Sequence, residues 1–208
     1  LPLANALAKA GMAAVSFDVI YHGARAWCTS DAHCEAGTCV TQTGACTSGK
    51  LKTDAAGLPY ASGARLLNTD DPVALRDSFY QNQVDAVALL RAILLGAEQG
   101  ITGAGSPVKL DADKVRYLGH SLGALLGPLV LATDPMPGRA VLTAPGAPLS
   151  EVLFTSTTFS TTRDALLKAH GLTAGTGGAL RLKAALQGLF DRTDPGSFAR
   201  YIRLDQLP

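Results

Sequence analysis

The residues of this 208-residue chain best suited to chemistry lie in a row, Gly119-His120-Ser121-Leu122-Gly123. A serine hydroxyl is a poor nucleophile until geometry and a neighbouring base activate it. A glycine two residues to either side suits a sharp, strained turn from strand into helix that pushes the hydroxyl outward, since side chains there would collide. The helix beyond such a serine starts with backbone N–H groups that have no intrahelical partner, at the positive end of its dipole. Leu122 N–H is then the natural donor to an oxyanion developing on the carbonyl that Ser121 attacks. The chemistry this arrangement fits is acyl transfer through a covalent intermediate on Ser121.

Such a serine requires a strand before it and a helix after it. Residues 114–118 alternate weakly between a polar turn and Gly119, which predicts a strand. Residues 122–132 have helical composition and are closed by Asp134-Pro135, with Pro128 inside, where it should kink the helix or remove a backbone bond. Arg139–Thr143 reads as another short strand, ended by Ala144-Pro145-Gly146. Upstream, residues 3–10 are helix formers that stop before Gly11, a suitable C-cap. The apolar run 12–20 has the length and the Val and Phe content of a buried, parallel strand. Asp71-Pro72 is a helix start, with Asp as cap and Pro at the first position. On that helix Tyr80, Val84, Val87, Ala88, Leu94 and Leu95 share one face, with Gln81, Asn82 and Asp85 on the opposite side; its last turns, apolar almost all round, should be deeply buried. Residues 96–107 read as a loop.

The order strand, helix, strand, helix, strand predicts an α/β fold with a parallel sheet flanked by helices. After Pro148 helical patterns near 163–169, 179–190 and 197–202 are separated by Gly- and Thr-rich linkers, so residues 149–208 read as a helical cap on a core at 1–148. Residues 24–67 interrupt that core as a Cys-rich surface insertion without periodicity.

All four cysteines, Cys28, Cys34, Cys39 and Cys46, fall in this insertion. An even count among Thr, Gly, Ser and Asp predicts two disulfides stapling a loop that lacks its own core, and hence a periplasmic or secreted setting. Three pairings are open, the interleaved one being favoured. Zinc is the rival, but the paired two-residue spacing is missing and His33 would have to substitute. A cation site at Asp31 and Glu35 is a further alternative to a plain solvated loop.

VRYLGHSLGALLGPLVLA resembles the nucleophile elbow of lipases and esterases in the α/β-hydrolase superfamily. AGMAAVSFDVIYHGAR resembles a preceding sheet strand with its His-Gly exit loop, DSFYQNQVDAVALLRAI the helix before the elbow strand, and RAVLTAPGA the strand after it. The resemblance covers about residues 1–27 and 70–147. It implies Ser121 as nucleophile, Leu122 as oxyanion donor, and His22 in a loop that shapes the pocket; His120 is the variable residue of the elbow and points away from the reacting centre. It also implies an acid and then a histidine after later strands. The only histidine after Ser121 is His170, which falls in a helical pattern and reads as a cap-surface residue more readily than as a base. Asp134 ends a helix, and Asp191, Asp194 and Asp205 follow no apolar strand. The chain therefore reads as a central piece of such a fold, with complementary polypeptide upstream and downstream completing the sheet and the triad.

The activity implied is cleavage of an apolar carboxylic ester, as by a carboxylesterase or lipase, with no metal or organic cofactor. Peptidases and thioesterases use the same elbow, and a hydrolase-like fold serving as a non-catalytic extracellular binding module is the other alternative. Eighteen basic and seventeen acidic residues nearly cancel without a basic run, which gives no support to a nucleic-acid partner. The most apolar stretches, 87–95 and 122–132, fall short of the ~20 residues a membrane span needs.

Overall fold

A computed structural model describes residues 2–66, 71–100 and 109–202. It is mixed α/β, and its chain divides into two compact units, residues 1–63 with 91–112 and residues 64–90 with 113–208. The expectations that fall on Leu67, on residues 101–108 and on Asp205 lie outside the described residues.

The first unit opens with helix α1, Pro2–Lys9. It ends as the sequence predicts: Gly11 takes φ 75°, and the Gly11 and Met12 N–H groups reach back to the Ala8 and Leu7 carbonyls at 3.0 Å each. These two bonds form the glycine-terminated cap that satisfies the last carbonyls of a helix. The run 12–20 is not a strand. None of its residues joins a ladder, and Met12, Val15 and Phe17 are exposed. Apolar residues make a strand only where a neighbouring edge takes up their backbone groups, and among the described residues none pairs with this run.

The Cys-rich segment folds around its sulfurs. Strands β1, Cys39–Val40, and β2, Ala45–Cys46, pair antiparallel, with Cys39 opposite Cys46. Disulfides join Cys28 to Cys39 and Cys34 to Cys46, an interleaved pairing. Cys28, Cys34 and Cys46 are the buried members of the cluster, with Cys39 and Leu51 packed against them. Trp27 lies on Gly44, where a Cβ would come within 2.0 Å of the indole, and meets Tyr21 edge-on. With so little apolar surface to bury, the cross-links carry most of this segment's stability. Replacing Cys28 and Cys39 by serine is expected to cost about 3 kcal/mol, because the loop of separation 11 is then free in the unfolded chain. Unfolding followed by fluorescence of Trp27, the single tryptophan, reads this directly.

Helix α2, Pro72–Gln99, continues past Gly96, so the expected loop starts later. Asp71 caps it by accepting from Ala74 N–H at 2.9 Å. Its buried face differs from the one expected. Ser78, Phe79, Asn82, Ala86 and Leu90 are buried, whereas Val84 is 60 % and Leu95 57 % exposed. Polar residues can lie inside when they find partners. Ser78 donates to the Ala74 carbonyl at 2.7 Å, and small Ala86 lets α2 meet Val130.

In the second unit, β3, Arg116–His120, pairs in parallel with β4, Arg139–Thr143, and α3, Leu122–Thr133, links them. Residues Ala124 to Val130 of α3 are buried, and the helix continues through Pro128. Tyr117, Gly119 and Leu142 lie on the less exposed face of the pair, while Leu118 and Val141, opposite each other in register, stay exposed. Beyond Pro148 come α4, Leu149–Thr155, α5, Ser160–Ala169, α6, Gly177–Phe190, and α7, Pro195–Ala199. Leu153 of α4, Leu166 of α5, and Leu186 and Phe190 of α6 form a common core.

Candidate active site

Ser121 occupies the junction of β3 and α3 with φ 50° and ψ −113°, a backbone conformation that residues other than glycine rarely adopt. Holding a residue there costs about 1–3 kcal/mol and persists only where the surroundings impose it. The serine precedes a helix yet makes no side-chain cap bond, so its hydroxyl is not committed to the helix it introduces. Its carbonyl accepts from Ala124 N–H at 2.8 Å and Leu125 N–H at 3.0 Å, and its N–H donates to the Thr143 carbonyl at 3.0 Å. Leu122 and Gly123 supply the first N–H groups of α3, which an α-helix leaves without internal acceptors.

The two motif glycines are not equivalent. A Cβ on Gly119 would fall 2.4 Å from the Gly123 carbonyl oxygen and 2.9 Å from Ala124 N, both backbone. A Cβ on Gly123 would meet no described atom within 4 Å. The expectation that both glycines relieve collisions therefore holds for Gly119 only; Gly123 lies on the open side of the first helical turn.

Several residues around Ser121 went unremarked in the sequence. Tyr117 donates its hydroxyl to the Gly123 carbonyl at 2.6 Å. Burial pushes the Tyr117 hydroxyl up to about 12, so it remains a donor through neutral and moderately alkaline pH. Because its folded pKa lies above its unfolded value, the stability it contributes is complete below pH ~10 and is lost as pH climbs toward that raised value. Thr143, at the end of β4, bonds the His120 ring at Nδ1 (2.9 Å) and donates to the Gly119 carbonyl at 3.3 Å. The next residue, Ala144, also has positive φ, 54°, so each strand of the pair is followed by a residue of positive φ. Gly127 gives α3 its close seat, since a Cβ there would lie 2.5 Å from Leu142 and 3.1 Å from Tyr117.

The remaining candidates have local duties. His22, in the first unit, bonds the Ile20 carbonyl through Nδ1 at 3.1 Å, and its Nε2 lies 2.9 Å from where a Gly63 Cβ would be. His33 accepts from Thr29 N–H at 3.1 Å within the cystine segment. His170 caps the end of α5 and is exposed. Asp134 is buried and accepts from Met136 N–H, Asp191 takes a bond from Gln187, and Asp194 caps α7. Asp31 accepts from Cys39 N–H at 2.8 Å. Cys28, Cys34 and Cys46 bring their sulfurs within 4.8 Å of one another, but all are in disulfides, which removes them as thiolate ligands.

Beside α3 lies a hollow with about 450 Å³ of empty space, part of it open to solvent. Its lining, apolar except for Arg76 and Thr193, includes Phe79, Leu125, Val152 and Phe190. Leu125 is one helical turn from Ser121, and Gly146, in the loop after β4, lies against both Leu125 and Val152. No helix among the described residues is long and apolar enough to cross a membrane. No family model, curated protein or solved structure matches this chain.

Proposed function

We propose that this chain carries the nucleophile of a serine hydrolase that cleaves carboxylic esters, on part of an α/β-hydrolase type of core. The observation that carries the reading is Ser121 itself, held at φ 50° between the end of a parallel strand and a buried helix, with no cap bond on its hydroxyl. In the reaction, Ser121 Oγ attacks the acyl carbon and gives its proton to a base, and the carbonyl oxygen gathers charge opposite Leu122 N–H. The ester C–O bond then breaks, the alcohol leaves with the proton, and water releases the acid from Ser121. The apolar hollow that Leu125 helps to line suits an acyl chain. No cofactor enters this scheme.

The base and its acid belong, on this reading, to complementary polypeptide that completes the sheet. In support, Leu118 and Val141 expose a two-residue apolar patch on a two-stranded parallel pair, an arrangement usually covered on both faces. The two disulfides favour a periplasmic or secreted location.

Fluorophosphonate labelling of the assembled protein tests the proposal. Label is expected on Ser121 and is expected to fall to background in Ser121→Ala. Labelling that survives the substitution sinks the assignment, and an assembled wild type that takes no label favours the non-catalytic binding module.

A further inference from the structure

We infer that Tyr117 is a positioning residue for the oxyanion donor, acting through two linked peptide groups in the first turn of α3. This rests on reading Ser121 as the nucleophile. The Tyr117 hydroxyl donates at 2.6 Å to the carbonyl of Gly123. That carbonyl and the Ala124 N–H belong to one rigid peptide plane. The Ala124 N–H donates at 2.8 Å to the Ser121 carbonyl. The Ser121 carbonyl in turn shares its plane with Leu122 N–H, the group that would face the oxyanion. Tyr117 therefore sets one end of a two-link chain, and the catalytic donor is the other end.

The geometry gives this chain little room to shift. Tyr117 stands on the strand that delivers Ser121, and Gly123 on the helix that leaves it, so the bond closes across the strained residue. The ring is held against α3 where Gly127 has no side chain, 3.1 Å from where its Cβ would be. Gly119 permits the approach of strand and helix from below, with the Gly123 carbonyl 2.4 Å from the place of its missing Cβ. A neutral hydrogen bond is worth about 1 kcal/mol, the same order as the strain at Ser121. Losing it should loosen the turn without unfolding the unit.

Tyr117→Phe keeps the ring and removes only the hydroxyl. In the full chain, amide exchange at Ala124 and Leu125 is expected to accelerate about fivefold, as loss of one bond implies, while amides further along α3, such as Leu129, stay unchanged. In the assembled protein, the first-order rate of phosphonate capture is expected to fall roughly tenfold, with the reversible affinity for the phosphonate unaltered. Exchange that is unchanged at Ala124, or that rises equally along the whole helix, overturns the inference, as does a capture rate equal to wild type. If the wild type takes no label, the nucleophile reading falls and takes the catalytic role with it. The exchange experiment then still decides whether Tyr117 pins the turn.

Discussion

Alanine at Gly119 is expected to destabilise the second unit by about 3 kcal/mol, whereas alanine at Gly123 is expected to be neutral or to stabilise it by about 0.5–1 kcal/mol. The two glycines frame the same serine at the same distance in sequence, and a motif read symmetrically would treat them alike. Their surroundings differ. A methyl group at Gly119 would press into the Gly123 carbonyl and the Ala124 nitrogen, which are backbone atoms of the buried helix and cannot swing aside as a side-chain tip can. Relief would require β3 and α3 to separate, which would also stretch the Tyr117 bond to Gly123. At Gly123 the added methyl meets open space, and alanine restricts the unfolded chain more than glycine does. Thermal unfolding of the two single variants separates these outcomes. Equal losses at both positions would mean that the turn is not built as described.

Asp194→Ala is expected to cost about 2–3 kcal/mol and to lower the melting temperature by roughly 6–10 °C. The Asp194 carboxylate is 2 % exposed and accepts from Leu149 N–H at 2.5 Å, Gly196 N–H at 2.8 Å and Gln187 Nε2 at 3.0 Å. Leu149 begins α4, Gly196 lies in the first turn of α7, and Gln187 belongs to α6, so one side chain ties three helices together. Truncation leaves the Leu149 and Gly196 N–H groups without the carboxylate they donate to, while Gln187 keeps its bond to Asp191; each donor stripped of its partner costs about 1–3 kcal/mol. Asp194→Asn keeps one acceptor oxygen but sets an NH₂ group toward the other donors, and it should fall between wild type and alanine. Leu149, Phe190 and Thr193 line the apolar hollow, so the alanine variant should also distort that space. A melting temperature unchanged by Asp194→Ala would show that the network does not hold the helices together.

The neighbourhood of Ser121 was legible because its requirements are local. Gly119, the apolar composition of α3 and the run Arg139–Thr143 each declare themselves within a few residues, and β4 has the expected bounds. Strand β3 lies two residues later than read, since Ala112–Lys114 forms a turn of 3₁₀ helix and the strand extends through His120. The cysteines were legible as staples because sulfur chemistry needs no context. What stayed hidden depends on partners distant in the chain. Asn82 looks like a solvent-facing residue until α2 is packed. Asp194 reads as a cap for the helix after it, which it is, but nothing nearby announces Leu149 on the far side of the cap. Helix α4 is too short for a period to show. The run 12–20 fails for the opposite reason: its composition is right for a strand, and composition cannot supply the edge that a strand requires.

The interleaving of the two disulfides also determines how the chain responds to cutting. Every peptide bond between Cys28 and Cys46 is spanned by at least one sulfur bridge, and those between Cys34 and Cys39 are spanned by both. A protease that nicks this exposed segment once therefore opens the backbone without releasing a piece, and the flanks remain one covalent molecule until a reductant arrives. A sequential pairing would have left the stretch from Cys34 to Cys39 as a point of severance. This segment can thus carry a break that its neighbours, joined by backbone alone, cannot.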